Sequence, residues 1–291
     1  MPELPEVEVI RQRLCQTFVN RKVAAVRVVA NDNVFMTPPR ELRKRLVGQR
    51  FTSIQRRGKY LLFGLEDSSC LVIHLGMTGQ LFSGHAMSPR LHNQSSRPKT
   101  RRGKSARFEP DRHTHLSLSF DDSGEQLHFR DCRKFGKISW FAAGCSNPRL
   151  DRLGPDALSI TRAQFEAGLQ GRRIAIKSLL LDQSTLAGVG NIYADESLHV
   201  ARIAPSRAAH TLRSEEIGVL VHAIRRTLRQ AIAHGGSSID DYVRPDGSDG
   251  GFQKRFAVYG REGEPCRRCG GLIRRTVIGQ RGTHFCAGCQ T

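Results

Sequence analysis

Four cysteines near the end of the chain place the tightest limit on how this sequence can fold. They form the pattern C-x2-C-x16-C-x2-C and are Cys266, Cys269, Cys286 and Cys289. This spacing lets two tight turns present two thiolates each to one tetrahedral Zn²⁺ ion. Disulfides are the alternative, but adjacent C-x2-C turns in a reducing compartment favour a metal. Because four thiolates leave no open coordination position, the sequence predicts one structural zinc ion.

The charge of the chain narrows the class of partner. Its 291 residues include 46 Lys and Arg against 27 Asp and Glu, which gives a formal net charge of +19. Such an excess favours a polyanionic partner, most often a nucleic acid. An anionic membrane would call for a basic amphipathic helix or a lipid anchor, and the sequence shows neither. The acidic N-terminus lacks the apolar stretch of a signal peptide, so we expect a cytoplasmic protein without a membrane partner.

Hydrophobic spacing predicts a helix and then strands in the first half of the chain. An apolar stripe predicts a helix over 5–18, and its members are Val7, Ile10, Leu14 and Phe18. Short segments from 22 to about 141, several of them alternating, predict antiparallel strands in a sandwich or barrel. The segment 86–112 interrupts them with eight Lys and Arg and only two acidic residues. We interpret it as a mobile basic insertion, which is either a solvated loop without function or an extra source of phosphate attraction.

Near residue 149 the short strand-like segments give way to helical spacing, which predicts a domain boundary there and a helical region beyond it. The clearest helix begins at Ser214, a candidate N-cap, and stops at Gly235 and Gly236. The Gly-, Ser- and Asp-rich segment 236–251 reads as a mobile loop. The sequence therefore predicts three domains, which are an N-terminal domain at 1–148, a helical domain at 149–251 and a zinc finger at 252–291.

The first residues, "MPELPE", suggest a reactive N-terminus. Methionine is usually removed before a small residue, and its removal would leave Pro2 as a free secondary amine. An α-amino group titrates near ~7.7–8.0, so a useful fraction is unprotonated at neutral pH. Such an amine can attack an electrophilic carbon and form an iminium, as lysine does in Schiff-base catalysis. Glu3 would lie beside it as a proton carrier, although an ordinary start with helix-capping acids is the plainer interpretation.

Further motifs, spread over nearly the whole chain, favour the interpretation of Pro2 as a reactive amine. They are "PELPEVE", "RRGKYLLF", "IHLGMTG", "DCRKFG", "RLGPDAL", "DQSTLAGVGNIYADE", "VYGREGEPCRRCG" and "QRGTHFC". In this order they resemble the bacterial formamidopyrimidine-DNA glycosylase family. The resemblance implies a multidomain α+β fold. An N-terminal helix and an antiparallel β-sandwich would precede a helix–two-turn–helix domain with a C-terminal zinc-finger β-hairpin.

The resemblance also implies an activity and a set of catalytic residues. The expected enzyme is a bifunctional DNA glycosylase and AP lyase that removes oxidised purines from double-stranded DNA. Pro2 would be the nucleophile at C1′, Glu3 the acid and base, and Glu6 a group that orients the same centre. Lys59 would contact the lesion phosphate and base, and Arg281 would hold phosphate and assist the final elimination. The partner would be duplex DNA with oxidised bases or abasic sites, bound by a monomer at the nucleoid.

Eight further residues are implied as DNA contacts. A flipped base leaves a hole in the stack, and the residues that fill it in this family correspond to Met77, Arg133 and Phe135. Implied phosphate contacts are His74, His113, Lys134, Arg173 and Asn191. Plainer interpretations remain open, since a strand lysine such as Lys59 is usually solvated, "HLGM" alone suggests a strand core, and Phe135 could also be a core residue.

Two alternatives stay open at this point. The sister family, of the endonuclease VIII type, shares the nucleophile and the finger but typically opens with "PEGPE", whereas Leu4 stands here. A protein on the same scaffold that binds lesion DNA without catalysis is the other.

Overall fold

The computed structural model describes residues 1–29, 33–88, 106–121, 124–239 and 241–291. Its α-helices are α1 Leu4–Phe18, α2 Pro39–Leu46, α3 Pro148–Asp151, α4 Arg162–Leu169, α5 Ile176–Leu181, α6 Asn191–Ala201 and α7 Ser214–Ala233. Its first strands are β1 Val23–Val28, β2 Phe51–Arg57, β3 Tyr60–Leu65, β4 Cys70–His74, β5 Gly79–Ser83 and β6 Met87–Ser88. The later strands are β7 Ala106–Arg107, β8 Thr114–Phe120, β9 Gln126–Asp131, β10 Lys137–Phe141, β11 Ile273–Ile278 and β12 Arg281–Cys286. No helix in these ranges has the length and apolar character needed to cross a membrane.

Two four-stranded antiparallel sheets form a sandwich in the first half of the chain. One sheet has the order β1-β8-β9-β5 and the other β10-β4-β3-β2. Alternation along β8 buries Leu116, Leu118 and Phe120, as the sequence predicts. These side chains share one hydrophobic cluster with Leu61 and Ile73 of the opposite sheet. The antiparallel β-sandwich of the predicted fold is therefore confirmed.

Helix α1 is attached to this sandwich by the predicted apolar stripe. Val7, Ile10, Leu14 and Phe18 are each at most 1% exposed and belong to the sandwich core. The ring of Phe18 lies 4.9 Å from that of Phe120, centroid to centroid. Packing of this kind, rather than intrinsic helix propensity, supplies most of the stability of a short helix. The start of the chain is thereby fixed on the sandwich.

The ends of the predicted basic insertion are packed against the sandwich. Residues 89–105 lie outside the described part of the chain, but β6 and β7 on either side of them pair with each other. Phe108 is 5% exposed, and its ring stacks on Phe82 at 4.6 Å. Ala86 and Phe108, which the prediction includes in the insertion 86–112, are therefore buried rather than solvated.

Helix α7 has the predicted length but a different N-cap from the one expected. The N-cap is Arg213, whose backbone N–H donates to Glu216 at 2.8 Å. Ser214 is instead the first residue of the helix, and its hydroxyl donates to Glu166. The expectation of a Ser214 cap was wrong because Glu216, at the third helical position, reaches back to the residue before the serine.

Contacts between residues divide the chain into two compact units. The first unit contains 1–147 together with 235–251, and the second contains 148–234 together with 252–291. The segment 236–251 differs from the predicted loop of the helical domain, because Tyr242 lies in the core of the sandwich. The zinc-finger segment belongs to the helical unit, where β12 packs against α6.

His128 provides a test of this packing. It is 2% exposed, and its Nδ1 lies 2.9 Å from the hydroxyl of Ser117. Burial, followed by the nearby positive charge of Arg27, lowers the pKa of His128 from 6.5 to about 4. Since the folded pKa lies below the unfolded one, the unfolded state binds more protons between these values. The free energy of unfolding should then fall by about 3 kcal/mol as pH drops through this window.

Urea unfolding at several pH values, followed by the fluorescence of the single tryptophan Trp140, measures this loss. His128→Gln should flatten the dependence between pH 6.5 and about 4. The exposed His210, which lies in the other unit, supplies the control His210→Gln. A His128→Gln profile that parallels the control would contradict the buried, neutral histidine.

Candidate functional site

A buried carboxylate fixes the first residues of the chain. Pro2 is buried, and Glu3 and Glu6 are 3% and 1% exposed. Glu6 Oε2 accepts a hydrogen bond from the backbone N–H of Glu3 at 2.9 Å, as in a capping box. Its other oxygen accepts the backbone N–H of Ser237 at 2.8 Å. One side chain therefore ties the residue after Pro2 to a segment more than 200 positions later.

The segment 235–251 approaches Glu6 closely because it contains glycine at the point of contact. Gly236 has a φ of +79°, and a Cβ there would lie 3.1 Å from Glu6 Cγ. Tyr242 lies beside it and donates its hydroxyl to the carbonyl of Gly235 at 3.2 Å. Burial, and then the negative charge of Glu6, hold the pKa of Tyr242 well above its usual value. The tyrosine consequently remains a neutral hydrogen-bond donor at physiological pH.

Lys59 lies in the turn between β2 and β3 and is only 7% exposed. Arg56 supports this turn by donating to the carbonyl of Gly58 at 3.0 Å. The same guanidinium donates to Glu8 of α1 at 2.9 Å. Although burial opposes it, hydrogen bonds from Arg11 and Arg56 lower the pKa of Glu8. An ionised Glu8 thus holds the Lys59 hairpin against the helix that begins after Pro2.

His74 ends strand β4 close to this hairpin. It pairs with Tyr60 of β3, and the two rings lie 4.6 Å apart, centroid to centroid. Its Nδ1 accepts the backbone N–H of Gly76 at 3.1 Å. His74 therefore lies opposite Tyr60, the residue that follows Lys59, and also shapes the loop that carries Met77.

Met77, Arg133 and Phe135 come together on two adjacent loops. Met77 and Phe135 are 42% and 48% exposed, which is unusual for such apolar side chains. The guanidinium carbon of Arg133 lies 4.9 Å from the centre of the Phe135 ring. The loops contact each other through their backbones, since a Cβ on Gly76 would lie 2.5 Å from the carbonyl carbon of Phe135. The structure thus gathers this trio into one projecting group.

His113 and Lys134 flank the same group. The carbonyl of His113 accepts the backbone N–H of Asp131 at 2.9 Å, and burial lowers the pKa of the His113 ring. Lys134 is exposed and has a φ of +58°. Asp131, which stands between them, is a site residue that the sequence analysis missed. Its signal was an aspartate just ahead of a turn, in "DCRKFG", since aspartate often bonds to backbone N–H groups two residues on.

In the second unit, Asn191 is joined to the residue next to Arg281. Asn191 begins α6, and its Nδ2 donates to the carbonyl of Gly282 at 2.9 Å. Lys177 donates to the same carbonyl at 2.8 Å. Arg281, the preceding residue, is exposed at the start of β12. Arg173 is also exposed, in the segment that precedes α5.

Two buried acidic residues of α6 hold the hairpin and the segment before it, and both were missed from sequence. Asp195 pairs with the fully buried Lys177 at 2.7 Å and accepts the backbone N–H of His284 at 2.8 Å. Glu196 accepts the backbone N–H groups of residues 257–259 at 2.8–3.0 Å. Burial raises the pKa of Glu196 despite these bonds. The signal was two adjacent acids after the apolar residues Ile192, Tyr193 and Ala194 of "NIYADE".

The four cysteines form the predicted metal site. Their Sγ atoms all lie within 4.8 Å of one another. Cys266 and Cys289 are 3.9 Å apart, and Cys269 and Cys286 are 3.4 Å apart. A tetrahedral zinc ion with Zn–S bonds of ~2.3 Å requires S···S separations of about 3.8 Å. The cluster therefore fits one structural Zn²⁺ held by four thiolates.

Comparison with known proteins agrees with this architecture. Three family models match in order along the chain. The formamidopyrimidine-DNA glycosylase N-terminal domain matches residues 1–138, the H2TH domain of the same enzymes 153–243, and a zinc finger found in FPG and IleRS 263–291. A formamidopyrimidine-DNA glycosylase of Herpetosiphon aurantiacus is 41% identical, with both chains fully covered. One from Thermus thermophilus is 42% identical over 100% of this chain and 98% of its own.

Solved structures are similar over the same length. A mutant FPG of Lactococcus lactis, in complex with DNA containing Fapy-dG, has a TM-score of 0.85 and 33% identity, with 100% of both chains covered. MutM (FPG) from Thermus thermophilus has a TM-score of 0.81 and 40% identity over 99% of this chain and 98% of its own. Fold and matches together define a base-excision repair enzyme, a DNA glycosylase with AP lyase activity. The chain belongs to the formamidopyrimidine-DNA glycosylase family.

Removal of the zinc should loosen the β11–β12 hairpin selectively. The hairpin has a small hydrophobic cluster, and two of its four buried members, Cys266 and Cys286, are metal ligands. Without the ion this cluster loses the bonds that hold two of its four members together, and the contacts with α6 and Lys177 are left to keep the hairpin in place. We expect chelation to speed hydrogen exchange at residues 273–286 and to leave α1 unchanged. Mass spectrometry measures this exchange, and Cys145→Ser, at an exposed cysteine outside the cluster, is the control. Unchanged protection of the hairpin would exclude a structural ion.

Lys177→Met should destabilise the second unit strongly. It leaves the buried Asp195 carboxylate without its ammonium partner, which costs about 3–5 kcal/mol. Lys254 is exposed, so Lys254→Met is a matched control. Urea unfolding followed by far-UV circular dichroism provides the measurement. Adding Asp195→Asn to Lys177→Met should recover part of the loss, and a Lys177→Met variant as stable as the control would refute the buried pair.

Proposed function

We propose that Pro2, once Met1 is removed, is the nucleophile of this glycosylase. The observation that supports the proposal best is the fixation of the residue beside it by Glu6, which accepts from Glu3 N–H and from Ser237 N–H. The attacking atom is a backbone nitrogen, so its position is set by the backbone rather than by a side-chain rotamer. A nucleophile held in this way loses little further freedom when the substrate binds.

The proposed reaction begins at C1′ of the damaged nucleotide. The Pro2 nitrogen forms a bond to C1′, and the bond between C1′ and the base breaks, so that the base leaves with that electron pair and takes up the proton that the Pro2 nitrogen loses. Glu3 supplies a proton to the ring oxygen O4′ as its bond to C1′ opens, which leaves a positively charged iminium between Pro2 and C1′. Glu6 holds Glu3 in position during this step.

Strand cleavage follows from the iminium. Its positive charge acidifies the C2′ proton, and loss of that proton expels the 3′ phosphate in a β-elimination. A second elimination expels the 5′ phosphate, which Arg281 holds, and water then hydrolyses the link to Pro2. The reaction therefore requires only the nucleotide, proton transfers and water.

The substrate we propose is duplex DNA containing oxidised purines or abasic sites. The net charge of +19 favours a polyanion, and the similar Lactococcus lactis protein was solved on DNA containing Fapy-dG and on DNA containing an abasic site. The projecting trio would occupy the space of the flipped nucleotide, with Arg133 bonded to the unpaired cytosine. Phosphate contacts are assigned to the following residues: Lys59, His74, His113, Lys134, Arg173 and Asn191.

The zinc module serves this reaction indirectly. Four thiolates hold the ion, which keeps the β11–β12 hairpin folded and thereby keeps Arg281 in position. The enzyme would act as a monomer in the cytoplasm, on DNA of the nucleoid.

Borohydride trapping tests the proposed nucleophile. With 8-oxoguanine duplex, the wild-type enzyme should form a covalent adduct that borohydride reduces and fixes, and the adduct should map to residue 2. Pro2→Gly should trap and cleave less while DNA binding is kept, and Glu3→Gln should slow base release by about 10²–10⁴-fold. Pro38→Gly, at an exposed helix cap, is the matched control.

Three outcomes would overturn the proposal. Retention of Met1 in the intact mass of active enzyme would leave Pro2 nitrogen as an amide, which cannot attack. Binding of lesion DNA without an adduct would indicate a non-catalytic protein. Preference for an oxidised pyrimidine over 8-oxoguanine would assign the enzyme to the endonuclease VIII type.

A further inference from the structure

Asp131 lies where the two loops of the projecting trio meet. It is the last residue of β9, it is completely buried, and it precedes the loop with Arg133 and Phe135. Strand β9 pairs with β5, which begins just after the loop with Met77, and Asp131 is opposite Gly79 in the ladder. The residue is therefore the junction between the two loops.

The Asp131 side chain accepts hydrogen bonds from both loops. Its Oδ1 accepts from the hydroxyl of Thr78, beside Met77, and from the backbone N–H of Arg133 at 3.2 Å. Its Oδ2 accepts from the backbone N–H of Gly136 at 2.7 Å. An ionised aspartate only accepts, and all three partners donate, so the carboxylate satisfies them without conflict. The turn 132–136 is thus closed at both ends by one carboxylate.

The backbone of Asp131 is fixed as well. Its N–H donates to the carbonyl of His113, and its own carbonyl lies 2.8 Å from His115 Nε2. The turn beyond it is constrained, because Lys134 has a left-handed φ of +58°, which is uncommon for a residue other than glycine. Hydrogen bonds at each end of the turn oppose its relaxation, so removing one should let the exposed side chains move.

We propose that Asp131 is the positioning residue that aims Met77, Arg133 and Phe135 as one unit into the DNA stack. This inference rests on the proposed function, in which the trio fills the space of the flipped nucleotide. Filling that space requires three side chains from two loops to arrive together, and only a rigid support holds such a group in productive geometry. Asp131 touches neither the DNA nor the reacting atoms, and its effect passes through the loops.

Asp131→Asn is the sharpest test because it keeps the shape of the side chain. The amide NH₂ must replace one carboxylate oxygen, and whichever oxygen it replaces, it meets a backbone N–H of either Arg133 or Gly136. Neither N–H can accept. With the NH₂ at the Oδ2 position Gly136 N–H loses its acceptor, and with the NH₂ at the Oδ1 position Arg133 N–H keeps only the Thr78 hydroxyl oxygen, at 3.3 Å. Loss of a hydrogen bond to a charged group corresponds to about a tenfold change. We therefore expect kcat/KM on 8-oxoguanine opposite cytosine to fall about tenfold.

Three readouts separate positioning from general damage. Discrimination between cytosine and adenine opposite the lesion should fall in Asp131→Asn, because Arg133 is no longer held in position to bond to the cytosine. A 2-aminopurine next to the lesion should show a smaller or slower fluorescence change, since its fluorescence reports insertion of the trio into the base stack. Lyase activity on a single-stranded abasic oligonucleotide should stay close to wild type, because a single strand has no stacked duplex to open.

Variants of Thr78 and Asp67 complete the design. Thr78→Val removes one donor to Asp131 and should shift the same readouts in the same direction, whereas Thr78→Ser should restore wild-type behaviour. Combined with Asp131→Asn, Thr78→Val should add less than its separate effect. The matched control is Asp67→Asn, because Asp67 accepts from Ser69 in a turn between β3 and β4 that carries no part of the trio.

The outcomes distinguish the two proposals. If wild-type enzyme traps and cleaves lesion duplex while Asp131→Asn and Thr78→Val behave like Asp67→Asn, the positioning role is wrong and the proposed function stands. An equal loss of activity on single-stranded abasic DNA would also overturn the positioning role, since it would indicate general damage. If wild-type enzyme itself neither traps nor cleaves, the proposed function fails and this inference fails with it.

Discussion

The hydrogen bonds of Glu6 are the constraint on which the geometry of the N-terminus depends. A chain terminus normally frays, because few contacts oppose its conformational freedom. Here a carboxylate only 1% exposed accepts from Glu3 N–H and from Ser237 N–H, while the stripe of α1 is buried in the sandwich. The first residues are therefore as well fixed as a core segment. A nucleophile made from a backbone nitrogen requires this, because it has no side chain of its own to be packed.

The same device recurs at two other elements that carry proposed functional residues. Asp131 binds the backbone of the turn with Arg133 and Phe135, and Asp195 and Glu196 bind the backbone of the hairpin and of the segment before it. In a chain with 46 basic and 27 acidic residues, several of the acids are thus internal acceptors of N–H groups. Burial of these acids removes negative charge from the surface that meets DNA. The same buried acids therefore fix the backbone inside the protein and leave the exterior electropositive.

Sequence predicted those features that depend on neighbours along the chain. The stripe of α1 and the alternation of β8 follow from periodicity, and the metal site follows from cysteine spacing, since each ligand pair lies within one turn. Contacts between distant residues could not be predicted in this way. Glu6 and Ser237, Thr78 and Asp131, and Asn191 and Gly282 are far apart in sequence, and their pairing depends on the completed fold. The prediction of Ser214 as the N-cap was wrong for a related reason. Either of two adjacent residues can precede a helix, and side-chain contacts select between them.

The placement of Asp131 explains why the trio can be apolar and exposed at once. Exposed Met77 and Phe135 would lower their free energy by folding back onto the sandwich, since burial of such side chains is worth about 1.5–3 kcal/mol each. A buried carboxylate accepts hydrogen bonds from Arg133 N–H, Gly136 N–H and the Thr78 hydroxyl, and these bonds hold the loop backbones so that the side chains project instead. In the proposed function, the free energy of burying these side chains is released when they contact a base stack. Rigid support of the loops would then make the burial of Met77 and Phe135 a contribution to binding rather than to folding.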